Sequence, residues 1–394
     1  MEVANKISES GILCLNGCAN LFQWPVLDTT ELETDERYLK RAHLVLAWLV
    51  HYFVHSMPPQ EDLTAAIHVP ATLAVPLVQV SRLLGMAPIL TYADTVLWNW
   101  EMVNENRPVT VDNIRFQNNF SGTEDERSFY NMSIQVEFQG IELLRIIDEY
   151  NHLPNLASLT SISKISRDLV RIKWIVDDMV EILQSVRPVC DPHVFYWDVR
   201  PWYEGADALG PLSAGWVYDG VPDWHSLDLS GPSAGQSSTM HALDIFLDID
   251  HQLRHKRFPA PTAENKSADV GFMGRMRRYM PGKHRGYLEH LEATPRSLRE
   301  LAENVPTLRE PYNNVVAALK RLRDLHIRTA CLYIVTMSKT SGSRSGCPAA
   351  SMMERLQAAR NAGEGPVRGT GGTSLSLLLK AGRDATRRAM LKDN

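Results

Sequence analysis

Cysteine is scarce, long apolar runs are missing and neither sign of charge dominates. The five cysteines, Cys14, Cys18, Cys190, Cys331 and Cys347, are scattered and odd in number, a poor basis for a disulfide framework. Reduced thiols of a cytosolic protein fit them better, so cytoplasm is the expected setting. No run of about 18 apolar residues occurs, and no membrane span is expected. The opening stretch, MEVANKISESGILCLNG, carries acidic residues and no continuous apolar core; it does not read as a signal peptide. With 46 acidic against 41 basic residues, a formal net charge of -5, nothing points to nucleic acid or an anionic membrane as partner. The familiar catalytic signatures are missing too: there is no phosphate-binding GxxxxGK[ST] loop, no HExxH and no GxSxG. Cys14 and Cys18 lack the second pair that a structural zinc site needs.

What is present is a 394-residue chain, 44% hydrophobic, long enough for a large core and for two domains. Helical spacing of apolar residues dominates, and strand signals are few. The pattern predicts helices over Arg41–Met57 (stopping at Pro58-Pro59), Pro76–Leu84, Leu90–Val103, Ser128–Asn151, Ser161–Val186, Ser238–Arg254, Tyr312–Met337 and Ser374–Leu391. The polar stretch 105–127 marks a candidate domain boundary. Residues 204–239 are rich in Gly, Pro and Ser. They form a long irregular connection of the kind that often carries function. Residues 338–373 are also Gly/Ser-rich, and mobility is expected there.

Few residues stand out chemically. His51 and His55 share a helix face at i,i+4 spacing, which suits either a weak metal pair or a polar helix surface. His326 lies in line with Val315, Leu319, Leu322, Thr329 and Tyr333 on one apolar helical stripe. That placement fits a satisfied core histidine. It equally fits a neutral imidazole acting as an axial metal or haem ligand. Arg200, among aromatics in VFYWDVRPWYEG, could clamp a carboxylate, stack on a Trp or pair with Asp198. GTGGT, Gly369–Thr373, could offer backbone N–H groups to an anion or serve as a flexible lead-in to a helix.

Taken together, seven segments resemble one family in the family's own order. ILTYADTVLWNW (89–100), SFYNMSIQVE (128–137), FYWDVRP (195–201), GPSAGQSS (231–238), MRRYMPGKHRGYL (276–288), LRDLHIRTACLYI (322–334) and RGTGGT (368–373) are similar to motifs of the indoleamine 2,3-dioxygenases. The resemblance runs from about residue 20 to the end. It implies an all-α fold with a small helical domain over 1–120, a large one over 121–394, and haem b between them. His326 matches the proximal iron ligand, with Arg323 and Asp244 as the ion pair on that side. Phe129 and Ser133 match the distal pocket. Tyr92 and Val96 match the wall around the indole, and Phe195 and Arg200 the aromatic wall and the carboxylate anchor. Ser233 and Ala234 match the loop over the haem, and Thr370 the loop that closes on substrate. Ser133 and Arg200 are the two expected catalytic residues, Ser133 tuning rather than driving the reaction. Tyr130 and Tyr196 stand where the animal enzymes carry Phe.

The implied reaction is cleavage of the indole C2–C3 bond of L-tryptophan by O2, giving N-formylkynurenine in the kynurenine pathway. An external reductant keeps the iron ferrous, and a monomer is expected. Three other readings stay open: oxygenation of a different indole or amine, O2 binding without catalysis, and a signalling scaffold with little activity.

Overall fold

The computed structural model describes residues 24–57, 65–208, 214–342, 349–350, 353–354, 358, 369–370 and 374–392. Cys14, Cys18, Cys347 and residues 371–373 of the GTGGT segment lie outside them, as does most of 338–373. Among the described cysteines, Cys190 and Cys331 are free thiols. No described helix is long and apolar enough to cross a membrane.

The fold is all-α. Helix α1 (Glu36–Ser56) starts where the Asp35 carboxylate accepts the Arg37 N–H, the usual cap for an orphan N-terminal donor. Helix α2 (Ala71–Leu84) begins five residues before the predicted start and keeps Pro76 inside it. It ends at Gly85, whose φ of 67° places it in the left-handed region that glycine enters without a Cβ penalty. Thr123 caps α3 (Glu124–Asn151) and Ser158 caps α4 (Leu159–Ser185). Then come α5 (Ser238–Phe246), α6 (Gly282–Ala293), α7 (Leu298–Asn304), α8 (Pro306–Ala330) and α9 (Leu375–Arg388).

Three predicted helices need correction. Leu90–Val103 is one π-type turn, Ala93–Leu97, followed by a strand. The buried Asp94 carboxylate accepts from the Thr91 N–H and hydroxyl and bonds His43 Nδ1, a local alternative to a helical ladder. Helix α5 stops at Phe246, not Arg254, and Asp248 and Leu253 then take positive φ. Helix α8 starts at Pro306, and its last predicted part, Cys331–Thr336, winds as a π-helix.

The described strands are three residues each. β1 (Ile67–Val69) pairs in parallel with β4 (Trp216–Tyr218), and β2 (Trp100–Met102) antiparallel with β3 (Ile114–Phe116). The first pair ties the connection 204–239 to the N-terminal helices.

Two large apolar cores and three smaller clusters form among the described residues. One joins α3, α4, α5, α8 and α9 through Leu143, Ile172, Leu243, Leu319 and Ala385. The other joins α1 and α2 to the connection and the π-turn after α8 through Val50, Leu77, Trp202, Tyr218 and Tyr333. It holds residues from both sides of residue 120.

The connection passes close to its own chain at Gly231. A Cβ there would sit 1.8 Å from the Tyr203 carbonyl oxygen, a backbone atom that cannot rotate away. Gly231→Ala is therefore expected to destabilise by about 1–3 kcal/mol, as overpacking does. Urea unfolding should show a lower midpoint at unchanged slope.

Candidate active site

A cavity of about 410 Å³ lies between α3, α5, α8, α9, the 92–96 turn and the 232–237 loop. Its volume is in the usual range for small-molecule sites. All twelve residues expected from the sequence line it: Tyr92, Val96, Phe129, Ser133, Phe195, Arg200, Ser233, Ala234, Asp244, Arg323, His326 and Thr370. A larger cleft of about 700 Å³ lies beside it, lined by Asp248, Asp250, Arg254, Arg277 and Glu292. That cleft lacks His326 and the aromatic wall.

His326 is carried on α8 one turn after Leu322 and one before Ala330, and all three line the cavity. Burial, and then the nearby Arg323 charge, hold its pKa below the ordinary value, so the imidazole is neutral. Neither ring nitrogen bonds a described residue. The Thr329 hydroxyl on the same helix is buried and without a partner among them. The imidazole is partly exposed, on the cavity that it lines, where a bound group could reach it. Among the described residues no group of three or more His, Cys, Asp or Glu forms a metal cage. A haem needs none, because the porphyrin supplies four nitrogens and the protein one axial base. A lone neutral imidazole facing an apolar cavity fits that group.

Behind His326, Arg323 Nη2 reaches both Asp244 carboxylate oxygens at 2.6 Å. His251 Nε2 bonds the same carboxylate at 2.7 Å. Burial would raise the Asp244 pKa, but Arg323 and His251 outweigh it and hold the carboxyl well below its usual range. Arg323 Nη1 also bonds Thr386 on α9. The pair so braces α8 against α5 and α9, one turn from His326.

The opposite wall comes from α3. Phe129 and Ser133 stand one turn apart, as i,i+4 spacing requires. The Ser133 hydroxyl donates to the Phe129 carbonyl at 2.9 Å, which leaves its oxygen lone pairs toward other partners. Phe129 and Phe195 rings lie 4.8 Å apart. Tyr130 is buried, and its hydroxyl is taken: Tyr203 donates to it at 2.6 Å and it bonds Glu126 at 3.1 Å. Tyr196 packs on Trp197 and Met353 and does not line the cavity.

The loops over the cavity are tied by polar contacts that the sequence did not disclose. Gln236 accepts the Tyr92 N–H at 2.8 Å and donates to the Gly231 carbonyl at 3.0 Å. Glu137, two turns after Phe129, accepts the hydroxyls of Tyr92, Ser237 and Thr239 at 3.0, 2.6 and 2.7 Å. Thr370 donates its hydroxyl to the Pro232 carbonyl at 2.6 Å, and its carbonyl accepts the Gly231 N–H at 3.0 Å. The spacing of Glu137 from Phe129 and Ser133 on one helix face was the available signal for it.

Arg200 is fully buried and pairs with Glu204, Nη1 to Oε1 at 2.7 Å. Its guanidinium carbon sits 5.5 Å from the Tyr196 ring centre. His51 and His55 are buried rather than on the helix surface. His51 Nδ1 bonds the Trp202 carbonyl at 2.8 Å and His55 Nε2 the Glu204 carbonyl at 2.9 Å. Burial pushes their pKa values down, to about 3 for His51, where His55 adds repulsion, and about 4 for His55. They are neutral struts between α1 and the Arg200 segment.

An all-α scaffold thus surrounds a largely apolar cavity onto which the neutral imidazole of His326 opens. Residues 18–389 match the indoleamine 2,3-dioxygenase family, and the chain belongs to that family; it is a dioxygenase. It is 32% identical to mouse indoleamine 2,3-dioxygenase 2 over 384 residues, 95% of this chain and 84% of the relative. It is 28% identical to the Saccharomyces cerevisiae indoleamine 2,3-dioxygenase, covering 92% of this chain and 80% of that one. A Fusarium equiseti protein named 6-hydroxytryptophan 2,3-dioxygenase is 30% identical over 91% of this chain and 83% of its own.

Asp244→Ala should cost about 1–3 kcal/mol, because the partly buried Arg323 is left without its counter-ion. Replacing both partners, Asp244→Ala with Arg323→Met, should cost less. The folded carboxyl titrates below the unfolded one. The pair's contribution is therefore complete above about pH 4 and is lost as pH falls through the folded value. Denaturant titrations from pH 7 to pH 3 on the three proteins should show the variants losing less stability on acidification than the parent.

Proposed function

We propose that this chain opens the indole C2–C3 bond of L-tryptophan with O2 to give N-formylkynurenine, using haem b held by His326. The observation that carries the reading is the neutral His326, without a partner among the described residues, facing the same cavity as Arg200, Phe129 and Ser133. When bound, the haem supplies O2 binding and activation, which no side chain provides.

The residues then have separable tasks. Arg200 takes the substrate carboxylate by charge-assisted hydrogen bonds. Tyr92, Val96, Phe129 and Phe195 sandwich the indole and keep water out. Ser233 and Ala234 line the cavity from the 232–237 loop and would lie against a bound haem; the small alanine side chain would leave room for substrate and O2. Ser133, its own proton donated to Phe129, offers only an acceptor to a passing N–H and acts as a tuner. Thr370 closes the loop on the bound substrate through Pro232. Arg323 and Asp244 hold α8, and so His326, in register. Indole is electron-rich enough that no strong base is required, which agrees with the α3 side of the cavity, where no histidine lines the wall. Orientation is the protein's main contribution. The working form is a cytoplasmic monomer, with an external reductant returning the iron to the ferrous state.

A second reading takes a hydroxylated indole, as the name of the Fusarium relative says of that protein. The Glu137 carboxylate in the cavity wall favours it, since it already accepts hydroxyl protons there.

Purified protein reconstituted with haem and reduced is expected to convert L-tryptophan to N-formylkynurenine carrying two atoms from labelled O2, read by mass. Haem bound without product from L-tryptophan, but with product from a hydroxytryptophan, would overturn the first reading for the second. His326→Ala is expected to lose the haem absorption band and turnover together; retained turnover with bound haem would remove His326 from the site. In Arg200→Ala, kcat/KM for L-tryptophan should fall by about 10- to 200-fold, the worth of a charge-assisted contact.

A further inference from the structure

The carboxylate anchor is not a lone cation. Arg200 and Glu204 are i,i+4 neighbours, side chains 0% and 2% exposed, joined Nη1 to Oε1 at 2.7 Å. Arg200 lines the cavity and Glu204 does not, so the carboxylate stands behind the guanidinium as seen from the substrate. Glu204 is also fixed in place: its carbonyl oxygen accepts from His55 Nε2 at 2.9 Å, and the next residue, Gly205, packs so tightly that a Cβ would lie 2.4 Å from the Leu229 carbonyl oxygen. Neither partner can leave for water without unpacking the segment.

Resting on the assignment of Arg200 as anchor, we propose that Glu204 is a specificity-determining positioning residue that competes with the substrate carboxylate for Arg200. Coulomb attraction falls inversely with distance. A second carboxylate about twice as far from the incoming one as the guanidinium cancels roughly half of the attraction. The pair presents N–H donors in a fixed direction but little net charge. Selection between a carboxylate and a neutral group of the same shape is then made by hydrogen-bond geometry more than by charge. Removing the Glu204 charge releases the full field of Arg200, and discrimination in favour of a carboxylate rises. Selectivity is a difference between two affinities, and here a built-in repulsion trims it.

The experiment compares L-tryptophan with L-tryptophanamide, its neutral isostere. Two readouts are used: kcat/KM of the haem-loaded enzyme, and calorimetric binding, which does not depend on turnover. The carboxylate-to-amide ratio is measured in the parent, Glu204→Gln, Glu204→Ser, Glu204→Asp and Arg200→Ala. Gln keeps the shape and Ser does not, so a fold defect in one leaves the other to report. The ratio is expected to rise about tenfold in Gln and Ser, one charge-assisted contact, and to stay within about threefold of the parent in Asp, which keeps the charge. A buried glutamate needed only for packing would change both ligands alike. An unchanged or lower ratio in the Gln and Ser variants overturns the proposal. Arg200→Ala separates the two ideas. If it abolishes discrimination, the anchor stands and the Glu204 result is decisive by itself. If it leaves discrimination intact, the anchor assignment fails, and the proposal with it. Absence of turnover with both ligands refutes the L-tryptophan reading, and the calorimetric ratio still decides on Glu204.

Discussion

Keeping a large apolar cavity open is the constraint on which this structure depends. Protein interiors pack as densely as organic crystals. A void of about 410 Å³ deprives every wall of dispersion contacts. The walls must therefore be held from outside the cavity. Arg323, bonded to Asp244 on α5 and to Thr386 on α9, does this on one side. The Tyr203–Tyr130–Glu126 chain does it on the other. Burial raises Glu126, but two backbone N–H groups, a serine hydroxyl and Tyr130 all donate to its carboxyl, so the network ends on a satisfied group. In a place this dry, a half-satisfied network would cost more than an apolar one.

The loops over the cavity follow the same logic with shorter side chains. One glutamine, Gln236, fixes the backbone of both Tyr92 and Gly231. One glutamate, Glu137, gathers three hydroxyls, from the 92–96 turn, from Ser237 and from Thr239 in the first turn of α5. Both are single points through which α3, the 92–96 turn and the 232–239 segment are held together. Small residues nearby are needed for the approach itself. A Cβ on Gly235 would lie 2.8 Å from the Phe272 ring, and one on Gly140 2.4 Å from the Thr239 methyl.

The helices and the cavity wall were legible in the sequence to different degrees. α1, α3, α4 and α8 follow the 3.6-residue apolar period, which survives in an amphipathic helix whatever it packs against. Leu90–Val103 has that period too, yet Asp94 captures Thr91 and His43 and stops the helix after one turn. A single buried carboxylate outweighs propensity there, and its partner lies 51 residues away, beyond any local window. His326 could be placed on the buried stripe but not assigned, since a core histidine and an axial ligand have the same spacing. Its role came from motif order, and the structure adds that its nitrogens meet no described partner. Glu204 was invisible as a partner of Arg200. The intervening Pro201 argued against helical geometry, whereas the chain continues from a π-turn into a 3-10 turn and brings the two together.

Two buried ion pairs flank the cavity, and their different settings imply different uses. Asp244 has two cationic neighbours, Arg323 and His251, and both it and Arg323 are wedged among α5, α8 and α9. Nothing a substrate carries has reason to displace them, so that pair serves rigidity. Arg200, by contrast, faces the cavity with its counter-ion behind it, in a short segment strutted to α1 by two neutral histidines. Because His51 and His55 titrate near pH 3 and 4, the struts carry no charge at neutral pH. They fix the height of the segment without adding to the field at Arg200. The struts thus hold the segment while leaving the pairing of Arg200 with Glu204, a charge and its partial cancellation, undisturbed.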